Sequence, residues 1–156
     1  CDLAQNRLTE LPKRFSSCIA LFDLDLSENK LMALPDDFVQ LTKLISLNLN
    51  TNKLTILPIR FGALIQLRHL QISYNRLTEI PVSVNSLKRL QILRLDFNLL
   101  KELPQELGNV AFLQEFYANG NQLNTFPAQL CNLKSLKVLQ LSGNFIPSVP
   151  ATIGDC

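Results

Sequence analysis

The sequence predicts an α/β solenoid. Short parallel strands stack into a concave β-sheet, and helical, 3-10 or irregular return segments form the convex side. Three observations carry this. An Asn recurs at Asn6, Asn29, Asn52, Asn75, Asn98, Asn121 and Asn144, a step of 23 residues each time. A Pro stands six residues after each, at Pro12, Pro35, Pro58, Pro81, Pro104, Pro127 and Pro150. The residues before each Asn alternate apolar with polar, as in Leu24 and Leu26. A fixed period of this length marks stacked repeats.

Each element of the unit follows from elementary requirements. Period-two alternation describes a strand with one buried face. One short strand cannot cover its own apolar side, so units must stack. Strands that recur in the same direction give a parallel sheet rising about 4.8 Å per unit. The Asn falls where the chain turns inward after the strand, and there its amide satisfies turn backbone groups that burial would leave unpaired. The seven Asn residues therefore read as a structural ladder. Leu-Pro then fixes φ and sends the chain onto the convex side. An apolar pair closes the loop: Phe15, Phe38, Phe61, Val84, Leu107, Leu130 and Ile153, followed three residues later by Cys18, Leu41, Leu64, Leu87, Val110, Leu133 and Cys156. That spacing suits a helical turn or a 3-10 segment facing the core. The chain divides into a single domain of about seven units: 1–20 (partial), 21–43, 44–66, 67–89, 90–112, 113–135 and 136–156. In the sixth, Phe116 and Ala118 replace two core leucines, a large-for-small exchange that roughly conserves volume.

The unit Leu21–Pro35 reads L-x-x-L-x-L-x-x-N-x-L-x-x-L-P and continues through Leu34-Pro35-Asp36-Asp37-Phe38-Val39-Gln40-Leu41. In this it resembles the leucine-rich-repeat superfamily, over nearly the whole chain. The second half of the unit looks like the 23-residue intracellular class, which includes Ras-binding scaffold proteins of the Shoc2 type, the Scribble and Erbin polarity proteins, and plant Ras-group repeat proteins. The resemblance implies a horseshoe fold and a signalling scaffold with a small GTPase or a protein phosphatase as partner.

Composition narrows the function further. A net charge of +2 is too small to argue for nucleic acid or an anionic membrane. No apolar run approaches the roughly 20 residues of a membrane span. Signal peptide and initiator Met are both lacking, residue 1 falls at a strand position, and neither end carries a polar cap of the kind terminal repeats need. The chain is therefore expected to be an excerpt of a longer protein, with Leu3, Leu8, Leu11 and Phe15 open at one end and Leu136, Leu139, Leu141, Ile146 and Val149 at the other. Cys1, Cys18 and Cys156 fall at core-type positions and Cys131 in a convex segment; they are expected to be small hydrophobes, a free buried thiol suits a reducing compartment, and whether any of them pair stays open. Clustered capping cysteines and glycan acceptors are absent, so a cytoplasmic location is expected.

With the core assigned, function falls to the variable positions. Residues six, four, two and one before each Asn point away from the core on the concave sheet and form columns one strand apart. Units four to six place His69, Gln71, Tyr74, Arg94, Asp96, Phe97, Glu115, Tyr117 and Asn119 on one surface. Tyr, Phe and Arg anchor protein interfaces, so this is the expected partner-binding site. Asp23, Asp25 and Glu28 form a secondary acidic patch. A row one residue after each Asn begins Arg7, Lys30, Lys53 and Arg76, then turns to Leu99, Gln122 and Phe145. Ile45, Ile56, Ile59, Leu99 and Phe112 are expected outside the core.

Catalysis finds no support. His69 is the only histidine, so a His-based metal site lacks a second member. His69 and Ser73 stand four residues apart on one strand, about 13 Å, beyond hydrogen-bond reach. None of the five glycines builds a phosphate-cradling loop. We expect no enzyme, cofactor or metal, but a protein-interaction module and signalling scaffold. The alternatives are a targeting domain of a larger kinase, phosphatase or ubiquitin ligase, and a receptor ectodomain.

Overall fold

A computed structural model describes residues 1–155, and Cys156 lies outside the described residues. Six three-residue strands run parallel in sequence order: β1 (Asp23–Asp25), β2 (Ser46–Asn48), β3 (His69–Gln71), β4 (Ile92–Arg94), β5 (Glu115–Tyr117) and β6 (Val138–Gln140). Their register is constant, Leu24 on Leu47, Leu47 on Leu70, Leu70 on Leu93, Leu93 on Phe116 and Phe116 on Leu139. The first unit contributes only a bridge between Asp2 and Asp25, so residue 1 lies outside any strand.

Each return segment is a 3-10 turn: η1 (Lys13–Ser17), η2 (Asp36–Gln40), η3 (Phe61–Ala63), η4 (Val82–Ser86), η5 (Gln105–Asn109), η6 (Ala128–Asn132) and η7 (Ala151–Asp155). In most of them Pro occupies the N-cap in extended conformation (Pro35 φ −64, ψ 148), the geometry its ring imposes. Its carbonyl accepts from the N–H three residues on, as in Phe38 to Pro35 and Leu107 to Pro104. The 3-10 form wins because the segment is a single turn, too short to repay α-helix nucleation.

Between sheet and turns lies one continuous leucine core, with Leu24, Leu47, Leu93, Leu95, Leu107, Phe116 and Ala118 at 0–1% exposure. The Phe116/Ala118 exchange is thus fully accommodated. Ile45, Ile56, Ile59, Leu99 and Phe112 are exposed, as expected, and so are Ile19, Phe22, Met32, Ile65 and Val82.

Several expectations fail at the ends of the stack. Cys1 and Cys18 are exposed free thiols, not core residues. In the first unit these positions have a neighbour on one side only, so repeat equivalence no longer implies burial. Ile153 is 40% exposed for the same reason, whereas Leu11, expected to be open, is buried against the second unit. Cys131, whose pairing the sequence leaves open, is disulfide-bonded.

Candidate functional site

The interior Asn residues hold the strands' C-terminal turns. Asn98 Nδ2 donates to the carbonyls of Leu95 (3.1 Å) and Asp96 (3.4 Å) in its own unit and to Ile72 (2.9 Å) in the preceding one. Its Oδ1 accepts from Leu77 N–H at 2.9 Å. Asn29, Asn52, Asn75 and Asn121 repeat the pattern. Every such amide ties two units together, and this fixes the heights at which the sheet-face side chains emerge.

The residue before each Asn takes a left-handed conformation. Gln5, Glu28, Thr51, Tyr74 and Phe97 have φ between 53° and 58°, and Gly120 and Gly143 have 63° and 68°. Position-by-position propensity misses this, since Thr, Tyr and Phe avoid that region. The signal was the pair of glycines in the same column. At Tyr74 and Phe97 the conformation lays both rings along the stack, centroids 4.6 Å apart and 16° from parallel. Phe97 in turn overlies Gly120, where a Cβ would come within 2.6 Å of its Cδ1. Both rings remain about half exposed.

Beside them, register places Gln71, Arg94 and Tyr117 on adjacent strands. The Arg94 guanidinium lies 4.3 Å over the Tyr117 ring and 3.9 Å from Glu115 Oε2. Tyr117 Oη donates to the same carboxylate oxygen at 2.9 Å. That donated bond is lost on ionisation, which is the chief reason the phenol's pKa is raised; desolvation and the Glu115 charge push the same way. The result is an Arg–Tyr–Glu triad with a half-exposed cation. His69 is half-buried on β3.

Asp96 and Asn119 are placed differently from the rest. Asp96 Oδ1 accepts from Asn119 N–H (2.9 Å) and Nδ2 (2.6 Å), and its Oδ2 accepts from Ser73 Oγ. Asn119 Oδ1 accepts from Ser142 N–H and Oγ. Asn50 does the same for Ser73 N–H at 2.7 Å. Asn50, Asp96 and Asn119, each two before an Asn, thus cap a backbone N–H of the next unit, whereas in the first three units Asp2, Asp25 and Asn48 cap the N–H two residues on in their own unit. Ser27 and Ser73, expected to point outward, are buried at 8% and 5% exposure, Ser27 against Asp25 of its own unit and Ser73 between Asn50 and Asp96 of its neighbours.

The acidic patch sits at the other end. Asp23 and Glu28 are exposed, and Asp25 is half-buried. Burial pushes the Asp25 carboxyl up, but hydrogen bonds from Ser27 Oγ, Ser27 N–H and Asn48 together outweigh it and hold the pKa below its ordinary value. Among the described residues no group of three His, Cys, Asp or Glu side chains is placed to hold a metal ion, and no helix is long and apolar enough to cross a membrane.

A solenoid that presents a parallel sheet and its rims as one continuous surface defines a class of recognition proteins, with side chains held by the scaffold and chosen by the partner. The family described as leucine-rich repeat region matches residues 59–145, and that described as leucine rich repeat matches residues 2–54. The chain belongs to the leucine-rich-repeat family. No curated protein matches it. Among solved structures it is similar to a leucine-rich-repeat protein of Leptospira interrogans (31% identity, TM-score 0.74, covering 99% of this chain and 45% of that one). It is also similar to the plant peptide hormone receptor RGFR1 in complex with RGF2 (29%, 0.86, 98% and 26%). A third is the Arabidopsis receptor kinase HAESA, in complex with the peptide hormone IDA and the co-receptor SERK1 (34%, 0.80, 91% and 25%). The chain therefore spans less than half the length of each of these proteins.

Proposed function

We propose that this chain binds a protein partner across its sheet face, centred on Arg94, Tyr117, Phe97 and Tyr74, with His69, Gln71 and Glu115 at the margin. The observation that carries this is the pair of exposed aromatic rings stacked beside an Arg–Tyr pair. Core packing requires none of these four side chains, and all are of the types that anchor interfaces. Asp96 and Asn119 support the surface through their backbone caps. Similarity to the Ras-group class supports a cytoplasmic signalling scaffold, with a small GTPase or phosphatase as partner.

A second reading, a receptor ectodomain that recognises a peptide, is favoured by the disulfide at Cys131 and by likeness to receptor structures solved with peptide hormones. Oxidised cysteines persist outside the reducing cytosol.

The test is a pull-down comparing wild type with Phe97→Ala/Tyr117→Ala, each first shown to be folded by circular dichroism. A protein captured by the first and lost by the second, with each single substitution costing about 1–4 kcal/mol, supports the reading. Identical captures would move the site off this face. Alkylation and mass analysis of the protein from cytosolic and secretory expression separate the two readings: activity only with Cys131 oxidised favours the ectodomain.

A further inference from the structure

Two adjacent rows follow the rim where the strands turn toward the convex side, and both change character at the same place. The row after each Asn is cationic through Arg7, Lys30, Lys53 and Arg76, then becomes Leu99, Gln122 and Phe145. The row before each Asn is polar through Gln5, Glu28 and Thr51, aromatic at Tyr74 and Phe97, and bare at Gly120 and Gly143. All four cations are exposed, and among the described residues the one ion pair is Arg94 with Glu115. At the other end Leu99 is 40% and Phe145 70% exposed.

Backbone hydrogen bonds hold the row in line. Lys30 N–H donates to Leu8, Lys53 to Leu31, Arg76 to Leu54, Leu99 to Leu77 and Phe145 to Leu123. The cations therefore stand about 4.8 Å apart, and four of them cover roughly 14 Å, the reach of four or five residues of extended chain.

We propose that this rim is a track for an extended acidic segment of a protein partner. Its carboxylates lie along Arg7, Lys30, Lys53 and Arg76, and the apolar or aromatic side chains that follow seat on Tyr74, Phe97, Leu99 and Phe145. The proposal rests on the protein-binding reading and shares Tyr74 and Phe97 with it, but uses the cationic row in place of Arg94 and Tyr117. Four unpaired like charges in register repel one another, and an anionic strand relieves that repulsion. Exposed ion pairs are individually weak, so the charges set direction and encounter rate, while the apolar seat supplies most of the affinity.

An anionic membrane is the competing occupant, and the flanking charges disfavour it. Glu10, Glu79 and Glu102 are exposed three residues beyond the row, and Glu28 is exposed beside it. A flat bilayer would meet all of these acids together with the cations, whereas a single extended chain following the row passes only Glu28. The net charge of +2 adds little general attraction to anionic lipid.

The test is selection from a random peptide library of about 12 residues, long enough to span the row extended, against the immobilised 156-residue chain. Selected peptides should carry Asp or Glu followed or preceded by a Leu, Phe, Tyr or Trp cluster. Fluorescence polarisation of the best of them should show affinity falling at least about tenfold in Lys30→Glu/Lys53→Glu/Arg76→Glu, several-fold in the corresponding triple Gln variant, and with added salt. Affinity should persist in Arg94→Ala/Tyr117→Ala. Peptides with no acidic bias, or affinity unmoved by the triple variants, would overturn the proposal; if Arg94→Ala/Tyr117→Ala alone abolished binding, the sheet-face reading would still stand. An empty selection would also overturn it, and sedimentation with phosphatidylserine vesicles that the triple variants abolish would then assign the rim to a membrane.

Discussion

Asn98→Ala isolates what one rung of the Asn ladder contributes. Asn98 is 4% exposed and makes four hydrogen bonds. Their loss is unequal. The Ile72 carbonyl keeps a second amide, from Asn75, and the Leu95 carbonyl keeps one from Asn121. The Asp96 carbonyl keeps Tyr74 N–H. Only the Leu77 N–H is stranded, and a buried unpaired donor costs about 1–3 kcal/mol. The donated bonds, whose acceptors remain satisfied, add about 0.5–1.5 kcal/mol each at most. Nδ2 has two protons to share among the three acceptors, so counting two such bonds the expected loss is about 4 kcal/mol, within roughly 2–6. Asn6 is exposed and donates only to Leu3 and Ala4, so Asn6→Ala should cost well under about 1 kcal/mol. Urea denaturation followed by circular dichroism measures both. Equal losses at the two positions would refute the idea that Asn acts as a tie between units. Asn98→Asp sharpens the point. It keeps the acceptor for Leu77 but turns an anion on three carbonyls, so its folded pKa rises. Its destabilisation should be full above that pKa and shrink as pH falls toward the unfolded value of about 3.9.

Three further outcomes are expected. Leu95→Ala, at a fully buried site, should cost about 2–5 kcal/mol; an unchanged melting temperature would place Leu95 outside the core. Gly120→Ala should cost about 1–3 kcal/mol through its left-handed φ and the clash with Phe97. In a Phe97→Ala background only the backbone share should remain, and a double-mutant cycle showing no coupling would contradict that contact. Asp25→Asn should lower stability at neutral pH. A depressed folded pKa means the carboxylate's contribution is full above the unfolded value of 3.8 and lost as pH falls through the folded one. The wild-type and variant stability curves should converge in acid, and parallel curves would show that Asp25 contributes no such term.

The fold was legible because its period is strict. Leu24, Leu47, Leu70 and Leu93 recur at one spacing, and a residue buried in one interior unit is buried in the next. The same logic misplaced Cys18 and Ile153, since equivalence holds only where both neighbours exist. The site was legible as a surface, but not in how its residues are held. Asp96 reads as an exposed acid, yet its oxygens face Ser73 and Asn119 in neighbouring units, a contact that no 23-residue window contains. The left-handed column was hidden because the residues that occupy it do not favour it.

That column joins site to fold, and Phe97→Gly tests the join. A non-glycine residue at φ near 53° costs about 1–2 kcal/mol of backbone energy. Gln5, Glu28 and Thr51 bear the same strain without forming a ring stack, so strain alone does not mark function. What is particular to units four and five is that the conformation aims two aromatic rings at each other and fixes their orientation before any partner arrives. Pre-set rings lose little entropy on binding, so their contribution goes into affinity. Glycine at 97 relieves the strain, offset by about 0.4–1 kcal/mol of added unfolded-state entropy and by the lost Tyr74 contact. Stability should therefore stay within about 1 kcal/mol of wild type while partner affinity falls as in Phe97→Ala. If stability and affinity fell together, the stacked rings would be scaffold, and the recognition surface would have to be sought away from Tyr74 and Phe97.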